Sequence, residues 1–201
     1  MKQLVIVLLL CFTFTHYSHS AILNTRRGLS STLVNDIYQT KDGHIWIATE
    51  EGLNRYDGAK CRVYYYDAND STSLSGNNIR MTFESISGDI YVGTLHGLLK
   101  YNRDYDNFEK VPLISKSGYD MNAYISSIVE LTTGEIFVAT SGHGLFKLLP
   151  GETSAHQQDS SIGYYIAQLY VDSKDNVWVA TSDRGNSRIS NNGCLYCKSN
   201  K

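Results

Sequence analysis

The sequence predicts an all-β fold: a partial, open β-propeller of about four four-stranded antiparallel blades. Three observations predict it. An eight-residue phrase, Asp42-Gly43-His44-Ile45-Trp46-Ile47-Ala48-Thr49, returns three more times, over residues 87–94, 133–140 and 174–181. Its large aromatic stands at 46, 91, 137 and 178, so the steps are 45, 46 and 41 residues, the length of a propeller blade. Each copy is also set among short β-rich runs separated by turn pairs such as Asp42-Gly43 and Asp57-Gly58.

The first copy justifies the blade strand by strand. Residues 33–39 are a β-rich run, and 41–43 make a tight hairpin turn. Residues 45–49 form the second strand, 50–52 the next turn, 53–56 the third strand, and 61–66 the fourth. Aligned in the same way, the blades run over about 29–66, 74–111, 123–158 and 162–201. Val34, Ile79, Ile125 and Ile166 share one apolar slot on the first strand, and Ile37, Thr82, Ile128 and Leu169 share another. Trp46, Tyr91, Phe137 and Trp178 fill the aromatic slot on the second strand, two residues before the small Ala48, Gly93, Ala139 and Ala180. A large residue beside a small one lets neighbouring sheets interdigitate, so the rings are expected between blades. The fourth strands are less regular, residues 154–157 least of all, and the fourth copy has Asn186 where the others have Leu53, Leu98 and Leu145.

Composition narrows the function. The chain has 201 residues with a net charge of −2, which gives no basic field for nucleic acid. Lys2, the apolar run 4–12 and the small Ser18 and Ser20 before Ala21 read as a signal peptide, 1–20, cleaved after Ser20. A lipoprotein signal fits less well, because Leu10 precedes Cys11. No later run is long and apolar enough for a membrane span. The exported chain keeps Cys61, Cys194 and Cys197. The lone C-x-x-C at 194–197 has neither the second ligand pair of a zinc site nor the βαβ setting of a redox site, and it reads as tail thiols or a local disulfide. No cofactor and no metal are expected.

The run Gly28-Leu29-Ser30-Ser31, then residues 43–58 with Trp46-Ile47-Ala48-Thr49 and Gly52-Leu53-Asn54-Arg55-Tyr56-Asp57-Gly58, resembles the opening of the two-component regulator propeller. The resemblance extends over about residues 22–190. It implies the sensor region of a periplasmic hybrid two-component protein that recognises oligosaccharides. Full members carry two seven-bladed propellers, a β-sandwich, a membrane helix, a kinase, a receiver and a DNA-binding domain. This sequence matches only the start of that plan, so the resemblance implies an N-terminal fragment without kinase activity or DNA binding. It also implies that residues 22–25 form a strand that would complete a last blade. Four blades are too few to close such a ring, so two sheet faces are expected bare. Those faces suit a homodimer or pairing with another propeller chain.

Chain direction puts the turns between second and third strands on the same face as the connections between blades. That face gathers Glu51, His96, His143 and Arg184, with Asn35, Asn77, Asn78, Asn122 and Tyr164 near the inner strands. Amide, carboxylate, imidazole and ring groups suit sugar hydroxyls, and these residues are the candidate oligosaccharide site. The same residue types are also what solvated loops carry. Two other functions stay open: a protein-interaction scaffold, and a secreted lyase or hydrolase, whose carboxylates are assembled in space rather than in sequence. No phosphate loop, G-x-S-x-G or H-E-x-x-H stands in the chain.

Overall fold

The structure is a computed structural model and describes residues 22–158, 160–183, 185–189 and 195–197. The signal-peptide reading, Arg184 and Cys194 lie outside these residues, as does the side chain of Cys197.

Each predicted meander is a sheet. Blade one is β1 (Val34–Gln39), β2 (Ile45–Thr49), β3 (Gly52–Tyr56) and β4 (Cys61–Tyr64), in that order and antiparallel throughout. Blade two is β5 (Ile79–Glu84), β6 (Ile90–Thr94), β7 (Gly97–Asn102) and β8 (Asn107–Val111). Blade three is β10 (Tyr124–Glu130), β11 (Ile136–Ser141), β12 (Gly144–Leu148) and β13 (Ala155–Gln157). Its outer edge is extended by β9 (Leu113–Ile114), which pairs parallel to β13. That fifth strand comes from the connection between blades and was not expected. It covers the edge of the three-residue β13, where an unpaired edge would be a liability. Blade four is β14 (Ile166–Val171), β15 (Val177–Thr181), β16 (Gly185–Ile189) and β17 (Leu195–Cys197).

Two local devices explain the recurring phrase. In each turn between first and second strand, one residue lies at positive φ: Gly43, Gly88 and Gly134, and in blade four Asp175 at 64°. The first three match the glycine of the phrase, and aspartate is among the residues that tolerate this region best. The threonine that ends each copy ties the next turn. Thr49, Thr94, Thr140 and Thr181 donate through Oγ1 to the carbonyls of Gly52, Gly97, Gly144 and Gly185 at 2.7–3.1 Å. Ser30 and Ser75 reach the same hydroxyls of Thr49 and Thr94 at 2.8 and 2.9 Å, which fastens each incoming connection to its blade. Asn54 locks the first of these by accepting from Ser30 N and donating to Ser30 Oγ, both at 2.8 Å.

A β-bulge recurs at one place in every inner strand, between 34 and 36, 79 and 81, 125 and 127, and 166 and 168. A bulge tightens local twist and leaves one residue out of the ladder. The displaced side chains reach the neighbouring blades. Asn35 Nδ2 donates to Ile79 O at 2.7 Å, and Ser126 Oγ donates to Ile166 O at 2.6 Å.

The blades stack in chain order: β1 and β2 on β5, β5 to β7 on β10, and β10 and β11 on β14. The core is therefore three interblade layers. Trp46, Ala48 and Leu53 pack on Ile79, Ile90 and Val92. Tyr91 and Leu98 pack on Ile125, Ile136 and Val138, and Phe137, Ala139 and Leu145 on Ile166, Val177 and Val179. The arc is open, and its ends differ from its interior at equivalent positions. Val34 is 41% and Ile37 64% exposed, while Ile79, Thr82, Ile125, Ile128, Ile166 and Leu169 are buried. Trp178 is 40% exposed, while Trp46, Tyr91 and Phe137 are buried. So three of the four rings lie between blades as expected, and the fourth faces the uncovered side of blade four. Residues 22–25 do not form the expected strand. They lead into a 3-10 turn, Thr25–Arg27, with Asn24 O accepting from Arg27 N and Leu29 N, because no blade stands beside them to pair with.

The small slot is tightest in blade two. A Cβ on Gly93 would stand 2.8 Å from Ile125 Cγ2 and 3.1 Å from Met81 Cγ. Gly93→Val is expected to destabilise the fold by about 1–3 kcal/mol through overpacking. The urea unfolding midpoint measures it.

Candidate functional site

Antiparallel register sets a basic residue opposite the recurring aromatic of every blade. Trp46 stands opposite Arg55, Tyr91 opposite Lys100, Phe137 opposite Lys147, and Trp178 opposite Arg188. Arg55 and Lys147 lie over their rings at 5.7 and 6.0 Å, cation–π distances. These ends of the strands point to the face opposite the one that carries Glu51 and His96. There the turns of adjacent blades meet and enclose clefts.

The larger cleft lies between blades two and three and measures about 490 Å³. Blade two supplies Ser87, Asp89, Tyr91 and Lys100; blade three supplies Glu130, Thr132 and the apolar floor of Ile136 and Leu148. Asp89 Oδ1 pairs with Lys100 Nζ at 2.9 Å, and Asp89 Oδ2 accepts from Ser87 at 3.2 Å. Glu130 Oε2 accepts from Ile86 N at 2.6 Å. Burial pushes the Glu130 carboxyl up, against the pull of that N–H and of Lys41. Burial, helped by the charges of Asp89 and Glu130, raises the Tyr91 hydroxyl to about 12, so it stays a neutral donor.

The matching cleft between blades one and two holds only about 160 Å³. Arg103, on the outer turn of blade two, donates to Asp42 of blade one at 2.6 Å and to Gly88 O at 3.2 Å. That bridge closes the cleft. In the next cleft the equivalent positions are Pro150 and Ser87, which cannot pair, and the gap stays open. A size suited to a small ligand thus follows from one lost ion pair.

The residues expected on the opposite face are dispersed. Glu51 and His96 are exposed, with their backbone N–H groups held by Thr49 and Thr94 at 3.1 and 2.9 Å. The His96 ring leans over Gly76, where a Cβ would meet it at 2.6 Å. His143 is half-buried, its N–H on Thr140 and its carbonyl accepting from Gln157 Nε2 at 2.8 Å. Asn35 donates to Ile79 O at 2.7 Å and accepts from Arg80 at 3.4 Å. Asn77 ties blades one and two through Gly52 N and Tyr66 N. Asn78 keeps a buried Oδ1 without a partner. Asn122 is exposed, and Tyr164 O accepts from Gly142 N and Gly144 N. None of them lines either cleft. Sequence reasoning missed Tyr91 as a cleft wall, Lys100 and Glu130. The signal was present: a base stands nine or ten residues after each aromatic, at 55, 100, 147 and 188.

Among the described residues no three His, Cys, Asp or Glu side chains gather as a metal site, and no helix is long and apolar enough to cross a membrane.

Residues 28–51, which hold the Ser30–Thr49 tie, match the family described as two component regulator propeller. That match covers one copy of the repeat. A 48-residue stretch of this propeller chain is 46% identical to histidine kinase P4 of Formosa agariphila; it is 24% of the chain and 4% of the kinase. The fold is that of the extracellular domain of the hybrid two component system BT4673 from B. thetaiotaomicron. That match has a TM-score of 0.72 at 20% identity, over 82% of this chain and 25% of the other. Virginiamycin B lyase from Staphylococcus aureus shares the fold at a TM-score of 0.60 and 12% identity, over 82% of this propeller and 55% of the lyase. The propeller chain therefore spans 4% of that kinase, 25% of that extracellular domain and about half of an enzyme with the same architecture.

Proposed function

We propose that this chain is part of the periplasmic, non-catalytic sensor region of a hybrid two-component protein. In this reading it is exported by residues 1–20 and binds an oligosaccharide released from a glycan. The cleft between blades two and three carries the proposal. Its carboxylates, ammonium group and hydroxyls around one aromatic edge complement a sugar's alternating hydroxyls and C–H faces. Asp89 and Glu130 are already engaged by Lys100 and Ile86 N, which favours holding hydroxyls over attacking a glycosidic bond. The family match and the extracellular sensor relatives support the same reading. The bare end faces of blades one and four belong to it too, as surfaces on which a second copy or another propeller chain stacks. A ligand signals through such a propeller only by binding two arrangements of it unequally.

Isothermal calorimetry with neutral and acidic oligosaccharides tests this. Saturable binding is expected, weakened about tenfold to a hundredfold in Lys100→Ala, since a hydrogen bond to a charged group is worth about 1.5–3 kcal/mol. Sugar turnover would favour the hydrolase or lyase. Absence of binding across the set would favour the interaction scaffold.

A further inference from the structure

The small cleft between blades one and two has a feature that its larger neighbour lacks. Trp46 is almost fully buried and lines the cavity, and its Nε1–H has no hydrogen-bond partner. A buried indole N–H left unmatched is costly, so an acceptor is called for. Blade four shows what this nitrogen takes as a partner. Trp178 Nε1 donates to Asp172 of its own first turn at 2.8 Å. In blade one the equivalent of Asp172 is Thr40, whose hydroxyl is already given to Asp42 at 2.5 Å and faces His44 O at 3.1 Å. The acceptor that blade four builds in is therefore missing, and the turn that should supply it, through Asp42 and His44, is a wall of the cavity.

The other walls are Arg55, Tyr101 and Arg103. Arg55 uses Nη1 on Asp106 and on the Tyr101 hydroxyl, while Arg103 uses its two terminal nitrogens on Asp42 and Gly88 O. The acidic groups near the cavity are all committed. Asp42 is held by Thr40, His44 and Arg103, Asp106 by Arg55, Arg62 and two tyrosines, and Glu84 by Lys41 N, with Arg103 3.7 Å away. Three guanidiniums thus balance three carboxylates, and what the pocket lacks is acceptor oxygens facing an indole N–H and a guanidinium.

The geometry points to a carboxylate-binding site: a ligand's carboxylate enters the cavity between blades one and two, one oxygen accepting from Trp46 Nε1 and the other facing Arg55. About 160 Å³ admits a small organic acid or the acidic end of a uronic sugar. The site stands apart from the saccharide cleft, so either can fail alone.

The chain has two tryptophans, so the indole region of a ¹H–¹⁵N spectrum holds two resonances, and Trp178→Phe assigns them. Sodium acetate and sodium glucuronate, titrated to about 100 mM at constant ionic strength, are expected to move the Trp46 indole proton downfield and saturably. Glucose is expected to leave it in place. A response to acetate alone assigns the site to free small acids, and one to both extends it to uronic sugars; each supports the proposal. Arg55→Gln is expected to weaken the response at least tenfold, because a charged fork is replaced by a neutral amide. Where that variant does not fold, the unmodified chain decides. An indole resonance unmoved by either salt, or moved equally by glucose, overturns the proposal and leaves the cavity to water.

Discussion

Trp46→Ala is expected to lower the unfolding free energy by about 3–5 kcal/mol, the range for removing a large ring from a packed core. Trp178→Ala, the same substitution in the same slot of the repeat, is expected to cost less, about 1–2 kcal/mol, most of it the lost bond from its indole to Asp172. The difference is packing. Trp46 is 1% exposed, stacks on Tyr64 at 5.8 Å and meets the edge of Tyr101 at 4.9 Å. The Tyr101 contact binds blade one to blade two. Trp178 faces the open end of the arc with Tyr170 and is 40% exposed, so truncation leaves little cavity. Chemical denaturation of the two variants side by side checks this. Equal losses would mean that the blade four face is covered in solution.

The second large effect belongs to Asp106. It sits at positive φ in the outer turn of blade two and gathers four donors from two blades. Tyr64 and Tyr101 donate their hydroxyls at 2.6 and 2.5 Å, and Arg55 and Arg62 pair with it at 3.1 and 2.6 Å. Burial pushes its carboxyl up, but the two hydroxyls and two guanidiniums outweigh that, and the net displacement is downward. A carboxyl lowered on folding stabilises the fold at all pH above its unfolded value of about 3.9. That contribution fades as pH falls below this value toward the folded one. Asp106→Ala is expected to cost about 2–4 kcal/mol at neutral pH, since it strands both guanidiniums and both hydroxyls. Asp106→Asn, which keeps the shape and tolerates the backbone, is expected to cost less and to flatten the loss of stability below about pH 4. Denaturation midpoints at pH 7 and along the acid limb measure both. An unchanged acid limb in Asp106→Asn would remove this carboxylate from the account.

The strands were legible because each is a local pattern. Ile45, Ile47 and their counterparts alternate with the aromatic and small slots, and a residue suited to positive φ marks each first turn. The threonine tie was half legible: Thr49 and its repeats were visible, but their bond to the following glycine carbonyl requires a turn closed in space. The expected ligand face was drawn from loop residues, and the structure leaves Glu51, His96 and His143 apart, serving mostly through their backbones. The clefts were hidden for a simple reason. Asp89 and Glu130 are 41 positions apart in sequence, on different blades, and only stacking makes them two walls of one cavity.

By itself the sequence determined the blade: its four strands, its turns, and the ring each blade offers its neighbour, because these depend on residues within one repeat and on periodic burial. Only the tertiary structure decided which rings are covered, which cleft is bridged and which stays open. Arg103 reaching Asp42, while Pro150 cannot reach Ser87, is a matter of side-chain length across a gap between two blades. No pattern within a single blade encodes that gap.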